Sequence, residues 1–216
     1  MSEKPHIGVK ILIHFLSFLA GFVNGIFFIT AGTAVSHHTG NLTRFVLGLS
    51  KGAIAEVITM LALLLSFSTG SCVSGIIFRN QTCSLRRYSI LLVLFAAAFL
   101  GIAIVRPPLL LTLALTCAVL GAQNGMFIPH GEVLIRTSHF TGYLTDVGRS
   151  FGMLLCGQKR QTERCLLYLS GIICFVAGVG TASFLPSAAF YYITALLYFL
   201  AAGFCFIFYL YFSHLW

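Results

Sequence analysis

Apolar residues in this chain run on in long blocks separated by short polar breaks, without the alternation of a half-buried strand. Roughly 20 consecutive apolar residues let a helix cross the hydrocarbon core of a bilayer. Blocks at about 11–30, 53–78, 88–105, 109–128, 166–185 and 188–212 fit that requirement. The breaks between them have physical causes. Arg79, Arg86 and Arg87 mark one loop, and the pair Pro107-Pro108 after Arg106 ends the third block, because two prolines cannot continue a helix. Pro129 and Pro186 stop the fourth and fifth. Two shorter apolar pieces, 42–49 and 147–156, follow polar stretches and predict half-helices over 39–50 and 141–156.

The polar stretches ahead of these short pieces say the same thing twice. Ser36-His37-His38-Thr39-Gly40-Asn41-Leu42-Thr43 returns as Ser138-His139-Phe140-Thr141-Gly142-Tyr143-Leu144-Thr145, 102 residues later. Upstream, Gly21-Phe22-Val23-Asn24-Gly25 is matched by Gly121-Ala122-Gln123-Asn124-Gly125, offset by 100. The shared residues are Gly, Asn, Ser, His and Thr as well as Phe and Leu, so this is an internal duplication with one two-residue gap. It divides the chain into repeats 1–106 and 107–216.

Composition agrees with the block pattern. Of the 216 residues 58% are hydrophobic and 8% charged, against about 25% charged in a soluble domain. The chain from Cys165 onward holds no Asp, Glu, Lys or Arg. The apolar run after Lys4 and Lys10 is too long for a cleaved leader and reads as a retained first span. The aromatic last block ends in His214 and Trp216 at an interface. The net charge of +8 does not imply nucleic-acid binding, because membrane proteins keep Lys and Arg in cytoplasmic loops. With six spans and the N-terminus inside, Lys4, Lys10, Arg79, Arg86, Arg87, Arg136, Arg149, Lys159, Arg160 and Arg164 lie inside. Only Arg44, Lys51 and Arg106 lie outside. That asymmetry predicts cytoplasmic termini. Full crossing by the two short pieces would move the arginine-rich 79–87 loop outside, so they read as half-helices.

Three spans per repeat is an odd number, so the second repeat is expected upside down relative to the first. Inverted repeats with interrupted segments at matching positions are a pattern of secondary transporters. The predicted fold is an all-α membrane protein of six helices in two inverted three-helix repeats, with a cavity between the repeats near mid-membrane.

The phrases at 20–25, 35–41, 120–125 and 136–142, in that order, resemble the YoaK-like family of bacterial multipass membrane proteins, over nearly the whole chain. The chain departs from the family pattern at Asn24, where that pattern usually has Asp. The resemblance implies a bacterial plasma (inner) membrane location and small-molecule transport, and no particular substrate.

Within this frame Asn24 and Asn124, each inside a Gly-x-x-x-Gly frame, serve close helix packing or face each other across the axis to contact a polar ligand, with Gln123. Thr39-Gly40, ahead of Asn41, and Thr141-Gly142 read as starts of half-helices, Thr as N-cap and Gly allowing the bend. Exposed N–H groups there favour an anion or a carbonyl. His37, His38 and His139 are candidates for proton coupling or gating, or bond the broken helix ends; no Cys or carboxylate spacing supports a metal site. Arg44 and Asp146 hold matching positions with opposite charge, and pair across the halves or stand as separate interfacial charges, Asp146 then satisfied by Arg149. Gly48-Leu49-Ser50-Lys51-Gly52 matches a nucleophile elbow in letters, but that motif needs a strand–turn–helix context. The expected activity is transport of a small polar or anionic solute by alternating access, with no cofactor and no enzymatic reaction. The alternatives are a channel with one continuous pore and a membrane scaffold or sensor. The C-terminal aromatic region also suits a homodimer.

Overall fold

A computed structural model describes residues 7–130 and 133–212. Lys4, His214 and Trp216 lie outside the described residues. Helices occupy the expected places: α1 Ile7–Ala31, α2 His38–Lys51, α3 Ile54–Ile77, α4 Leu85–Val105, α5 Leu109–Asn124, α6 Phe140–Leu155, α7 Thr162–Ser183 and α8 Ser187–Phe212. Of these, α1, α3, α4, α7 and α8 are long and apolar enough to cross a membrane, and α5 is a shorter apolar helix. Large apolar side chains on their outer faces, such as Ile104, Ile173 and Phe199, are exposed. Such a surface is stable in lipid and would aggregate in water. The chain is a multipass helical membrane protein.

The fourth block departs from the sequence expectation. Its helix was expected to reach residue 128, and it stops at Asn124 with Gly125 as C-cap. Pro129 supplies no N–H and disfavours a helical Ile128. The chain turns instead into a two-residue hairpin, Pro129–His130 against Val133–Leu134, extended by the Ile135 N–H donating to Ile128 O at 2.9 Å. The Tyr88 hydroxyl on α4 donates to the freed Phe127 carbonyl. Backbone groups released by the break thus find partners inside the protein.

Packing exchanges helices between the two halves. α1 lies against α7, α5 against α3, and α4 against α8, while α2 packs on α3 and α6 on α7. Glycines set the closest approaches. A Cβ at Gly21 would lie 2.1 Å from Phe175 O, and one at Gly121 would lie 2.1 Å from Phe67 O. Conversely, a Cβ at Gly178 would meet Phe18 O at 2.1 Å, and at Gly70 Ala118 O at 1.9 Å. Each contact in one half has its counterpart in the other, at an offset of 100 for the first helices and 108 for their partners. The Gly-x-x-x-Gly frames therefore do serve close packing. Contacts advance in the same direction along both helices, so α1 runs parallel to α7 and α5 parallel to α3. α4 and α8 are antiparallel, with the Ser89 hydroxyl donating to Ala202 O at 2.9 Å and Phe95 and Phe99 on Tyr198.

Candidate functional site

The two repeated phrases come together where α2 and α6 begin. His37 is the N-cap position of α2 and His139 that of α6, and neither side chain makes a capping bond. The sequence reading had placed Thr39 and Thr141 as caps; both lie inside the first turn, because the helices start one residue after each histidine. Thr39 and Thr141 are exposed, and their carbonyls accept from Thr43 and Thr145, each at 3.1 Å. The first N–H groups of α2 and α6 therefore carry no bond from their N-cap side chains.

His37 lies close enough to His139 for the rings to interact electrostatically. Its ring also packs on Phe140, the first residue of α6, at 6.2 Å, and on Phe175 of α7 at 5.5 Å. His38 packs on Phe67 at 4.3 Å, and its counterpart Phe140 packs on Phe175 at 4.0 Å. The His139 ring lies over the first turn of α6, where a Cβ on Gly142 would come 2.4 Å from Nδ1. At Gly40, by contrast, a Cβ would meet nothing within 4 Å. At the meeting point Asn41, Gln123, Thr137 and Ser138 are buried, while His37, His38 and Asn124 are half-buried.

The paired asparagines do different work. Asn24 Oδ1 accepts from Val35 N–H (3.1 Å), Ser36 N–H (3.3 Å) and the Ser36 hydroxyl (3.0 Å). It ties down the loop that leads into α2, and Asn41 assists by donating to Ala34 O at 2.8 Å. In the second half the corresponding atoms, Asn124 Oδ1 and Ser138 Oγ, are buried without a partner, as is His38 Nε2. Among the described residues no hydrogen bond joins Asn24 to Asn124. Gln123 has taken the clamping role there. Its Nε2 donates to Leu16 O and to Thr137 Oγ1, both at 3.0 Å, and its Oε1 accepts from the Tyr198 hydroxyl at 2.6 Å. Sequence reasoning placed Gln123 beside a ligand, and missed that its amide joins α1, α5, α8 and the loop before α6.

This difference gives a direct test. Asn24→Ala leaves two backbone donors without their acceptor, and losing such a partner costs about 1–3 kcal/mol. We expect its melting temperature in detergent to fall by several degrees, while Asn124→Ala, which removes an atom that bonds to nothing, stays close to the unmodified protein.

Of the two arrangements open to Arg44, pairing with Asp146 across the halves is not seen among the described residues. Arg44 pairs with Glu56 of α3 at 2.8 Å and donates to Thr33 Oγ1 at 3.2 Å, so its ionic partner lies in its own half. Chain connectivity explains this: α2 and α3 are joined by a tight turn at Gly52, whose left-handed φ of 66° closes the hairpin. Asp146, Arg149 and Arg164 gather within electrostatic reach of Tyr168 on α7.

No curated protein and no solved structure matches the chain. A family model does, and it spans α1 to α8. Residues 12–211 match the family described as a protein of unknown function (DUF1275), in agreement with the YoaK-like resemblance of the repeated phrases, and the chain belongs to that family.

Proposed function

We propose that this protein is a transporter that moves a small polar or anionic solute across the bacterial plasma membrane by alternating access. In this reading six helices cross, α1, α3, α4, α5, α7 and α8, in two inverted repeats, 1–106 and 107–216, with both termini cytoplasmic. α2 enters from outside and α6 from inside, and their starts meet at the solute path. The observation that carries it is this meeting: two short helices from equivalent places in the two halves bring uncapped N-termini together, with the His37 ring 6.2 Å from that of Phe140, the first residue of α6. The exchanged packing of α1 on α7 and α5 on α3 supports a two-fold relation between the halves. Asn41, Gln123, Asn124, Thr137 and Ser138 supply hydrogen-bonding groups there, and His38, His139, Arg44 and Asp146 are the groups positioned to gate or couple protons.

Topology and mechanism are tested together. In a background free of other cysteines, a Cys at position 50, near the end of α2, should react with an impermeant maleimide from outside, and Cys156, at the end of α6, only from inside. Labelling of both from one side sinks the inverted arrangement. In proteoliposomes, saturable uptake with counterflow is expected, and flux that rises without saturation would favour the channel.

A further inference from the structure

The second half of the junction is left unfinished in a specific way. In the first half Ser36 Oγ and Asn24 Oδ1 satisfy each other at 3.0 Å. Their counterparts Ser138 Oγ and Asn124 Oδ1 are both buried and both without a partner, and Ser138 is only 1% exposed. Native proteins pair nearly all buried polar groups, so two orphans at the places whose first-half counterparts bond each other point to an occupant. His38 Nε2, in the first turn of α2, is a third.

The electrical setting says what kind of occupant. α2, of 14 residues, and α6, of 16, both start here with no side chain on their first N–H groups. Each helix start is equivalent to roughly +0.5 elementary charge, so two starts sum to about +1. Among the described residues no Asp or Glu is buried to cancel it. Every orphan can also donate: Ser138 by its hydroxyl, His38 by an Nε2–H tautomer, and Asn124 by a half-turn of its amide that presents Nδ2. The His139 ring over the first turn of α6 adds a further donor.

We propose that the junction binds one small monovalent anion, held by Ser138, Asn124 and the first N–H groups of α6, with His38 completing its shell. Asn24 takes no part, because it is committed to its own loop. The site makes the solute class of the transport reading specific and rests on that reading only for its role in transport; binding itself follows from the groups named. A halide, nitrate or formate fits the sum of charge, whereas a divalent anion would overcompensate it and a cation would be repelled.

The test uses full-length protein in detergent, exchanged into sodium gluconate and titrated with sodium nitrate while melting is followed. A saturable rise in melting temperature is expected with nitrate and absent with glycerol. Ser138→Ala should weaken the apparent nitrate affinity by about tenfold, the loss of one hydrogen bond to a charged group, without lowering melting in gluconate. Asn24→Ala should melt lower in every medium yet keep its nitrate response. Should Ser138→Ala fail to fold, Asn124→Asp supplies the negative charge from the protein and should abolish the nitrate response. No saturable nitrate effect, an equal effect of glycerol, or an unchanged response in both Ser138→Ala and Asn124→Asp overturns the site; a bound water predicts the first of these. Nitrate binding without nitrate flux in proteoliposomes would leave the site standing and overturn the transport reading, and saturable nitrate flux without any binding shift would do the reverse.

Discussion

Gly70→Ala should prevent α3 and α5 from closing on each other, and Gly178→Ala should do the same to α7 and α1. The added carbon at position 70 would lie 1.9 Å from Ala118 O and the one at 178 would lie 2.1 Å from Phe18 O. Real Cβ atoms never come that close, and the obstructing atoms are backbone, so no side-chain rotation can relieve them. The helices must move apart by about 1 Å along the contact. In a membrane, helix association depends on van der Waals packing and interhelical hydrogen bonds because lipid offers apolar groups an equally good environment. Separation also stretches the bonds from Ser71 Oγ to Gly121 O (2.9 Å) and Ser74 Oγ to Ala122 O (2.7 Å). Overpacking of this kind costs about 3 kcal/mol, more where the backbone must shift. Both variants should lose the monodisperse peak in detergent size exclusion at temperatures where the unmodified protein keeps it. Gly75→Ala and Gly180→Ala are the matched controls, because a Cβ there meets nothing within 4 Å. They should melt at or slightly above the original temperature. Equal damage from Gly70→Ala and Gly75→Ala would mean that helix propensity, and not approach, governs these positions. Unequal damage from Gly70→Ala and Gly178→Ala would count against the equivalence of the two halves.

What the residue order reveals here is what hydropathy and repetition encode. The long apolar helices and the two short ones, α2 and α6, are legible because uninterrupted apolar length and prolines are local signals. The half-helix ranges expected at 39–50 and 141–156 agree with α2 at 38–51 and α6 at 140–155 to within a residue at each end. Their caps were misread because Thr is the commoner cap, yet each helix begins one residue after a histidine that does not cap at all. The short fourth helix was not legible. Pro129 reads as its stop, but the chain leaves the helix at Gly125, where Tyr88 and the hairpin offer the backbone other partners. Partner choice was hidden too. The duplication sets Asp146 against Arg44, and the turn at Gly52 brings Glu56 to it instead. Duplication likewise predicts equal roles for Asn24 and Asn124. The roles differ because the neighbour of Asn24 is Val23, while that of Asn124 is Gln123, whose amide can hold a loop.

Gln123→Leu is expected to be the most damaging change at the junction that leaves helix packing volumes nearly unchanged. The amide makes three bonds: to Leu16 O on α1, to Thr137 Oγ1 before α6, and from the Tyr198 hydroxyl on α8. Gln123 and Thr137 are buried and Tyr198 is fully so, which means water cannot replace the amide. Leucine strands the Tyr198 hydroxyl and the Thr137 hydroxyl in an apolar setting, at about 1–3 kcal/mol for each lost partner in water-soluble proteins. Bonds between membrane helices are weaker on average, about 0.6 kcal/mol with a maximum near 1.7. The sum expected is therefore roughly 2–4 kcal/mol. The distribution of the loss is the sharper readout. Pairing Gln123→Leu with Tyr198→Phe removes both ends of one bond, and the double variant should be more stable than the sum of the two single losses predicts. Strict additivity would show that the Tyr198 bond contributes nothing. Gln123→Glu keeps the acceptor for Tyr198 and, while protonated, one of the two donated bonds, so it should fall between the original protein and Gln123→Leu at low pH and drop below both at high pH, where the buried carboxyl must ionise without a counter-charge and loses that donor. A pH-independent melting temperature for Gln123→Glu would mean that position 123 is hydrated, and that the junction is open to water.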